Sequence, residues 1–290
     1  MVRPNRCPCH RPASRSASAR RRLPRIDRTG VARVTNRFTP GIFTPDPRPN
    51  APLRMLVAQT RLELILLLRN GEQLLLTMFI PITLLIGLCL LPVGDLGEHR
   101  VDSVVPAVMM VAVMSTAFTG QAIAVGFDRR YGALKRLGAT ALPKWGIIAG
   151  KSAAVVIVVA LQAVLIGAIG FGLGWRPGIG GLALGAVIIA LGTITFAAMG
   201  LLLGGTLKAE IVLALANILW FIMLGIGSVV FASDDLPEVL RLIARLIPSG
   251  ALAETLKAAL VGSVDWFGVA VLAVWATACG YLATKTFKFT

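Results

Sequence analysis

The sequence predicts an all-α membrane protein with six transmembrane helices, and three observations carry that prediction. Windows free of Asp, Glu, Lys and Arg run over 73–94, 103–127, 152–175, 177–207, 211–233 and 266–284. Each is close to or above the ~20 residues a helix needs to cross a ~30 Å hydrocarbon core. One charge at the centre of a span would cost about 2.5–3.5 kcal/mol on insertion, so six uncharged windows are best read as six spans. The composition agrees: 56% of residues are hydrophobic, 15% are charged, and the mean hydropathy is +0.78, unlike a soluble domain. Thirdly, runs such as Ala-Ala-Val-Val-Ile-Val-Val-Ala at 153–160 do not alternate. Barrel strands must alternate, so the closed barrel, the other fold that satisfies its backbone in lipid, is excluded.

Residues 1–50 stand apart. They hold 12 Arg, many Pro and no long apolar run, which reads as a disordered tail preceding a six-span domain over 51–290. The tail could bind nucleic acid or anionic lipid. It lacks the 7–15-residue apolar core of a secretory signal. The preferred reading is sequence upstream of a translation start near Val31 or Val34. Without residues 1–33 the net charge falls from +15 to +6, ordinary for a positive-inside protein, and the high pI then implies no nucleic-acid partner. Cys7-Pro-Cys9-His10 crowds its ligands too closely for a zinc site.

Residues 53–72 read as a helix lying along the inner membrane face. At 100° per residue Arg54, Arg61, Arg69 and Glu72 fall in a sector of roughly 80°, and most of the rest is apolar. The first span contains Pro81, which lipid tolerates when a neighbouring helix satisfies the freed carbonyl. Gly181-X-X-X-Gly185 and Gly200-X-X-X-Gly204 predict close helix approach within the subunit. The mid-membrane polar groups are few: Gln121, Gln162, Asn217, Thr193 and Thr195. Such groups act as interhelical glue or line a path, and Gln121, Gln162 and Asn217 are the path candidates.

The segment 232–265 predicts a helix, a break and a second helix. Asp235 is placed to cap, Pro237 falls in the first turn, and Glu238 is placed as a capping-box acid. Leu236, Leu240, Ile243 and Ile247 form an apolar stripe, with Arg241 and Arg245 on another face. Pro248-Ser-Gly250 breaks the helix, and 251–262 follows. The pair is too short to cross twice, so it either dips into the outer leaflet or lies at the interface.

Charge orients the bundle. The pre-span segment 54–72, loop 128–151, link 205–210 and tail 285–290 together carry 12 Lys or Arg, against five in 95–102, 175–179 and 232–265. Both termini are therefore predicted to be cytoplasmic. The loop from Phe127 to Lys151 holds six of those cations (Arg129, Arg130, Lys135, Arg136, Lys144, Lys151) and one acid, Asp128.

That loop carries a family resemblance. Its run Tyr131-Gly-Ala-Leu-Lys-Arg-Leu-Gly-Ala-Thr140, then Leu-Pro-Lys-Trp145 and Gly-Lys151, resembles the cytoplasmic loop of type 2 ABC exporter permeases, daunorubicin-type antibiotic exporters among them. Here one residue is added before Gly132, and Ala141 stands where many relatives carry Pro. The resemblance covers about residues 52–290. It implies a coupling helix that contacts a separate ATPase through Arg130, Tyr131, Leu134, Lys135 and Arg136. Glu63 and Arg69 would join them from a connecting helix that ends in Arg69-Asn70. It also implies two ATP-binding subunits, a second permease copy or paralogue, a re-entrant helical pair before the last span, and residence in the bacterial plasma membrane.

No cofactor is expected in this chain, and ATP with its Mg²⁺ would sit on the partner. Gly146-Ile-Ile-Ala-Gly150-Lys151-Ser152 is one residue short of a phosphate-binding loop and opens an apolar span without a preceding strand. His10 and His99 are the only histidines, and no span holds paired carboxylates, so neither a metallohydrolase nor acid/base catalysis fits. A proton- or sodium-coupled carrier usually needs charge or unwound helix within its spans. The expected function is therefore an ATP-driven exporter permease moving a hydrophobic drug or lipid-like molecule, with a secondary transporter or channel as the alternative. A nucleic-acid- or lipid-binding protein led by the tail is the third reading, and it alone requires residues 1–33.

Overall fold

The structure is a computed structural model, and it describes residues 50–91, 100–140, 142–232 and 238–287. The Arg-rich tail, Asp235, Pro237 and Ala141 lie outside the described residues. Every described element is helical. Among the described residues six helices are long and apolar enough to cross a membrane: Gln73–Leu90, Arg100–Arg130, Lys144–Gly172, Ile179–Thr206, Ala209–Ser228 and Trp266–Thr286. They coincide with the six uncharged windows. The second runs past its window at both ends, taking in Asp102 and Arg130.

Helix α1, Pro52–Arg69, opens on a proline at its first turn, where a missing N–H costs nothing. It packs on α6, Lys144–Gly172. Its buried residues are Gln59 and Glu63, while Leu53, Val57, Leu66 and Leu68 are exposed. The turn to α2, Gly71–Leu90, is made by Asn70, whose side chain accepts from the Gln73 N–H as an N-cap.

Pro81 lies inside α2 and cannot donate to the carbonyl four residues back, that of Thr77. Span three supplies the missing donor: Gln162 Nε2 donates to the Thr77 oxygen at 3.0 Å. Gln162 Oε1 accepts from Thr116 Oγ1, also at 3.0 Å. One buried amide thus ties three spans together. Thr116 sits in a π-helix, Met114–Gly120, between α3 (Arg100–Val113) and α4 (Gln121–Arg130). Within this π-helix Ser115 Oγ accepts from Trp220 Nε1 of α8, Ala209–Ala232. Nothing in the sequence pattern announces the π-helix, a deviation that occurs mostly as single turns and frequently near functional sites.

The glycine pairs of α7, Ile179–Thr206, touch different neighbours within the chain. A Cβ at Gly200 or Gly204 would meet the Phe118 or Ala122 carbonyl at 2.7 or 2.4 Å, so span four lies directly against the backbone of span two. Gly181 lies as close to the Leu260 carbonyl of α10, Pro248–Leu260. Helices α9, Glu238–Leu246, and α10 break at Ile247. The corner needs glycine, since a Cβ at Gly250 would stand 2.1 Å from the Ala244 carbonyl. Arg245 of α9 fastens it, ion-paired to Glu254 and Asp265 (both 2.7 Å) over the Phe267 ring. Helix α10 is buried among α3, α7, α8 and α11, Trp266–Thr286.

Candidate functional site

The basic loop folds as a tight turn with a short helix. α4 ends at Arg130, Tyr131 caps it, and Gly132 turns the chain at φ 73°, a left-handed conformation that favours glycine. Helix α5, Ala133–Gly138, follows, and Pro143 then leads into α6.

Four ties hold this turn. Leu134 is fully buried in a cluster of Val125, Ile147, Leu201, Ala283 and Phe287, drawn from α4, α6, α7 and the end of α11. Arg129 donates to the Gly205 carbonyl at 2.6 Å and also to that of Leu207. It therefore satisfies carbonyls at the C-terminus of α7, where a helix lacks partners and favours a cation. Arg130 pairs with Glu210 at the start of α8 (2.5 Å), an exposed contact that orients more than it stabilises.

The fourth tie is ionic and buried. Lys151 Nζ donates to Glu63 Oε2 at 2.8 Å and to Asp128 Oδ2 at 2.7 Å, and Gln59 Nε2 donates to Glu63 Oε1 at 2.8 Å. Lys151 and Glu63 are each less than one-tenth exposed, whereas the Asp128 side chain is 37% exposed. Helices α1, α4 and α6 meet at this ammonium. Gly150 makes the approach feasible, because a Cβ there would stand 2.6 Å from Gln59 Cγ.

The residues singled out for ATPase contact thus divide by position. Arg130, Tyr131, Lys135 and Arg136 are exposed at the turn, and Tyr131 stacks on Phe127. Leu134 lies beneath them. Arg69 is exposed, but Glu63 lies on the opposite, buried face of α1. Sequence reasoning missed Lys151, Arg129 and Asp128 as anchors. The available signal was a lysine two turns inside an otherwise apolar helix, a place where charge requires a partner.

The polar residues considered for a path are not enclosed together. Gln162 is spent on two hydrogen bonds within the bundle. Gln121 is buried, and its amide nitrogen has no partner among the described residues. Asn217 stands on an exposed side of α8 and bonds back to Leu213 of its own helix. No group of three or more His, Cys, Asp or Glu able to hold a metal occurs among the described residues.

Residues 98–285 match the sequence profile of a family described as ABC-2 family transporter protein. A search of curated proteins returns no significant match.

Proposed function

Because the chain belongs to the ABC-2 family of transporter proteins, whose membership implies an ATP-binding partner in general, we propose that it is the permease subunit of an ATP-driven exporter. Two copies, or one with a paralogue, pair with two ATPase subunits that carry ATP and Mg²⁺. The cargo is a hydrophobic drug or lipid-like molecule, moved outward across a bacterial plasma membrane with both termini cytoplasmic.

The observation that supports this reading best is the construction of the basic turn: an exposed face of Arg130, Tyr131, Lys135 and Arg136 on a base that cannot move alone. A push on α5 passes through Leu134 to spans two, three, four and six. Arg129 and Glu210 carry it to the junction of spans four and five, and Lys151 carries it to α1. Leu134 and Glu63 act here as anchors behind the contact surface. The pair α9–α10, with α10 buried in the bundle and α9 largely exposed, dips into the outer leaflet and closes the exit.

The test is charge reversal. Lys135→Glu with Arg136→Glu should leave the protein folded in the membrane while ATP-driven export falls at least tenfold and cross-linking of the turn to the ATPase is lost. Leu134→Asp should also uncouple, but with the turn itself loosened. Unchanged export by the double charge reversal would overturn the assignment.

A further inference from the structure

A cavity of about 480 Å³ lies between α6 and α7, at the end of the bundle remote from the basic turn, with Met109 at its back and Trp175 in its wall. Its lining runs on α6 from Val156 to Phe171, about 22 Å at 1.5 Å per residue. It exists because small residues, Ala160, Ala163, Gly167 and Ala190 among them, face one another where larger side chains would close the gap.

We propose that this cavity holds an acyl chain of an anionic phospholipid, with the lipid phosphate on Arg176. The inference needs only that α6 and α7 span the membrane and does not rest on the transport reading. The lining is almost wholly apolar, and its one hydroxyl, Thr193 Oγ1, is already bonded to the Ile189 carbonyl at 2.6 Å. The cavity is an elongated trough lined almost entirely by aliphatic and aromatic side chains. A single flexible hydrocarbon chain fits that shape, and about 22 Å exceeds half of a ~30 Å hydrocarbon core.

The charge at the mouth selects the headgroup. Phe171 and Trp175, both in the lining, are the residues that hold Arg176. Its Nη1 donates to the Phe171 and Trp175 carbonyls (2.5 and 2.9 Å), and its guanidinium lies 5.7 Å from the Phe171 ring centroid. The other guanidinium nitrogens have no protein partner among the described residues. A fixed, exposed guanidinium with spare donors is a phosphate-binding group, and Trp beside Arg is the usual composition of a membrane–water interface.

Trp175 reports occupancy directly. A variant keeping it as the only tryptophan (Trp145→Phe, Trp220→Phe, Trp266→Phe, Trp275→Phe) would be reconstituted in vesicles of phosphatidylcholine with a minor fraction of chain-brominated lipid. Brominated phosphatidylglycerol should quench Trp175 at least threefold more effectively than brominated phosphatidylcholine. Arg176→Gln should remove the preference, and Ala163→Phe, which fills the cavity, should reduce quenching by both lipids. Should the single-tryptophan variant not fold, native mass spectrometry of the wild-type protein should show retained phosphatidylglycerol that Ala163→Phe loses. Equal quenching by both lipids, quenching indifferent to Ala163→Phe, or retention of a small organic molecule in place of lipid would overturn the proposal.

Discussion

Replacing Lys151 by Met keeps the length of the side chain and removes the charge at which α1, α4 and α6 meet. Glu63, less than one-tenth exposed, would then keep a single donor, Gln59 Nε2. Removing one partner of a buried ion pair costs about 3–5 kcal/mol, mostly from the stranded charge. Asp128, more than a third exposed, regains water and adds little, so the lower end, about 3 kcal/mol, is appropriate. This cost falls on the docking of α1 against α6, because Glu63 is the charge that α1 contributes. At a factor of ten per 1.4 kcal/mol, the undocked population should rise roughly a hundredfold. Hydrogen exchange by mass spectrometry on peptides covering 55–68 measures that population through local opening. Faster exchange confined to α1 and its contacts is expected in Lys151→Met. Glu63→Gln combined with Lys151→Met leaves no buried charge and should recover most of the protection, a non-additivity that marks direct coupling. The reasoning is refuted if Lys151→Met leaves α1 exchange unchanged, or if the double variant exchanges as fast as the single one.

Further outcomes follow from the same packing. Gln162→Leu strands the Thr77 carbonyl and the Thr116 hydroxyl and should cost about 1–3 kcal/mol, read as a lower melting temperature in detergent. Adding Pro81→Ala restores an N–H in α2 itself and should recover part of the loss; no recovery would mean that Gln162 does not serve the proline. Gly204→Ala drives a methyl into the Ala122 carbonyl, whereas Gly180→Ala meets nothing within 4 Å. Membrane-inserted, monodisperse protein should therefore be lost for the first and kept for the second, as size-exclusion profiles would show.

Some of this structure was legible in the sequence and some was not, for physical reasons. The spans could be read because lipid penalises each charge locally, and a charge-free window is a local property. A break between α9 and α10 could be read for the same reason, since proline acts on its own backbone, but Pro248-Ser-Gly250 opens α10 and the break itself falls at Ile247. Pro81 announced a missing hydrogen bond but not its donor, because Gln162 is remote in sequence and any polar residue on a neighbouring span could have served. The burial of Glu63, expected to join Arg69 from the connecting helix, was not legible, because the helical period of α1 shows which residues share a face but not which face meets α6. Leu134 was expected at the contact because its loop resembles a coupling helix, and its burial beneath the turn depends on four elements remote in sequence. The cavity between α6 and α7 was invisible in the same way: alanines and glycines read as close packing when they equally well leave a gap.

The most direct measurement is purification of the tagged protein from its own host's membranes in several gentle detergents, with quantitative mass spectrometry of what accompanies it. A soluble protein carrying a phosphate-binding loop should be recovered in a one-to-one ratio and lost with Lys135→Glu and Arg136→Glu. Recovery of the protein alone in every detergent would contradict an ATP-driven permease and favour a transporter or channel that works without a separate engine.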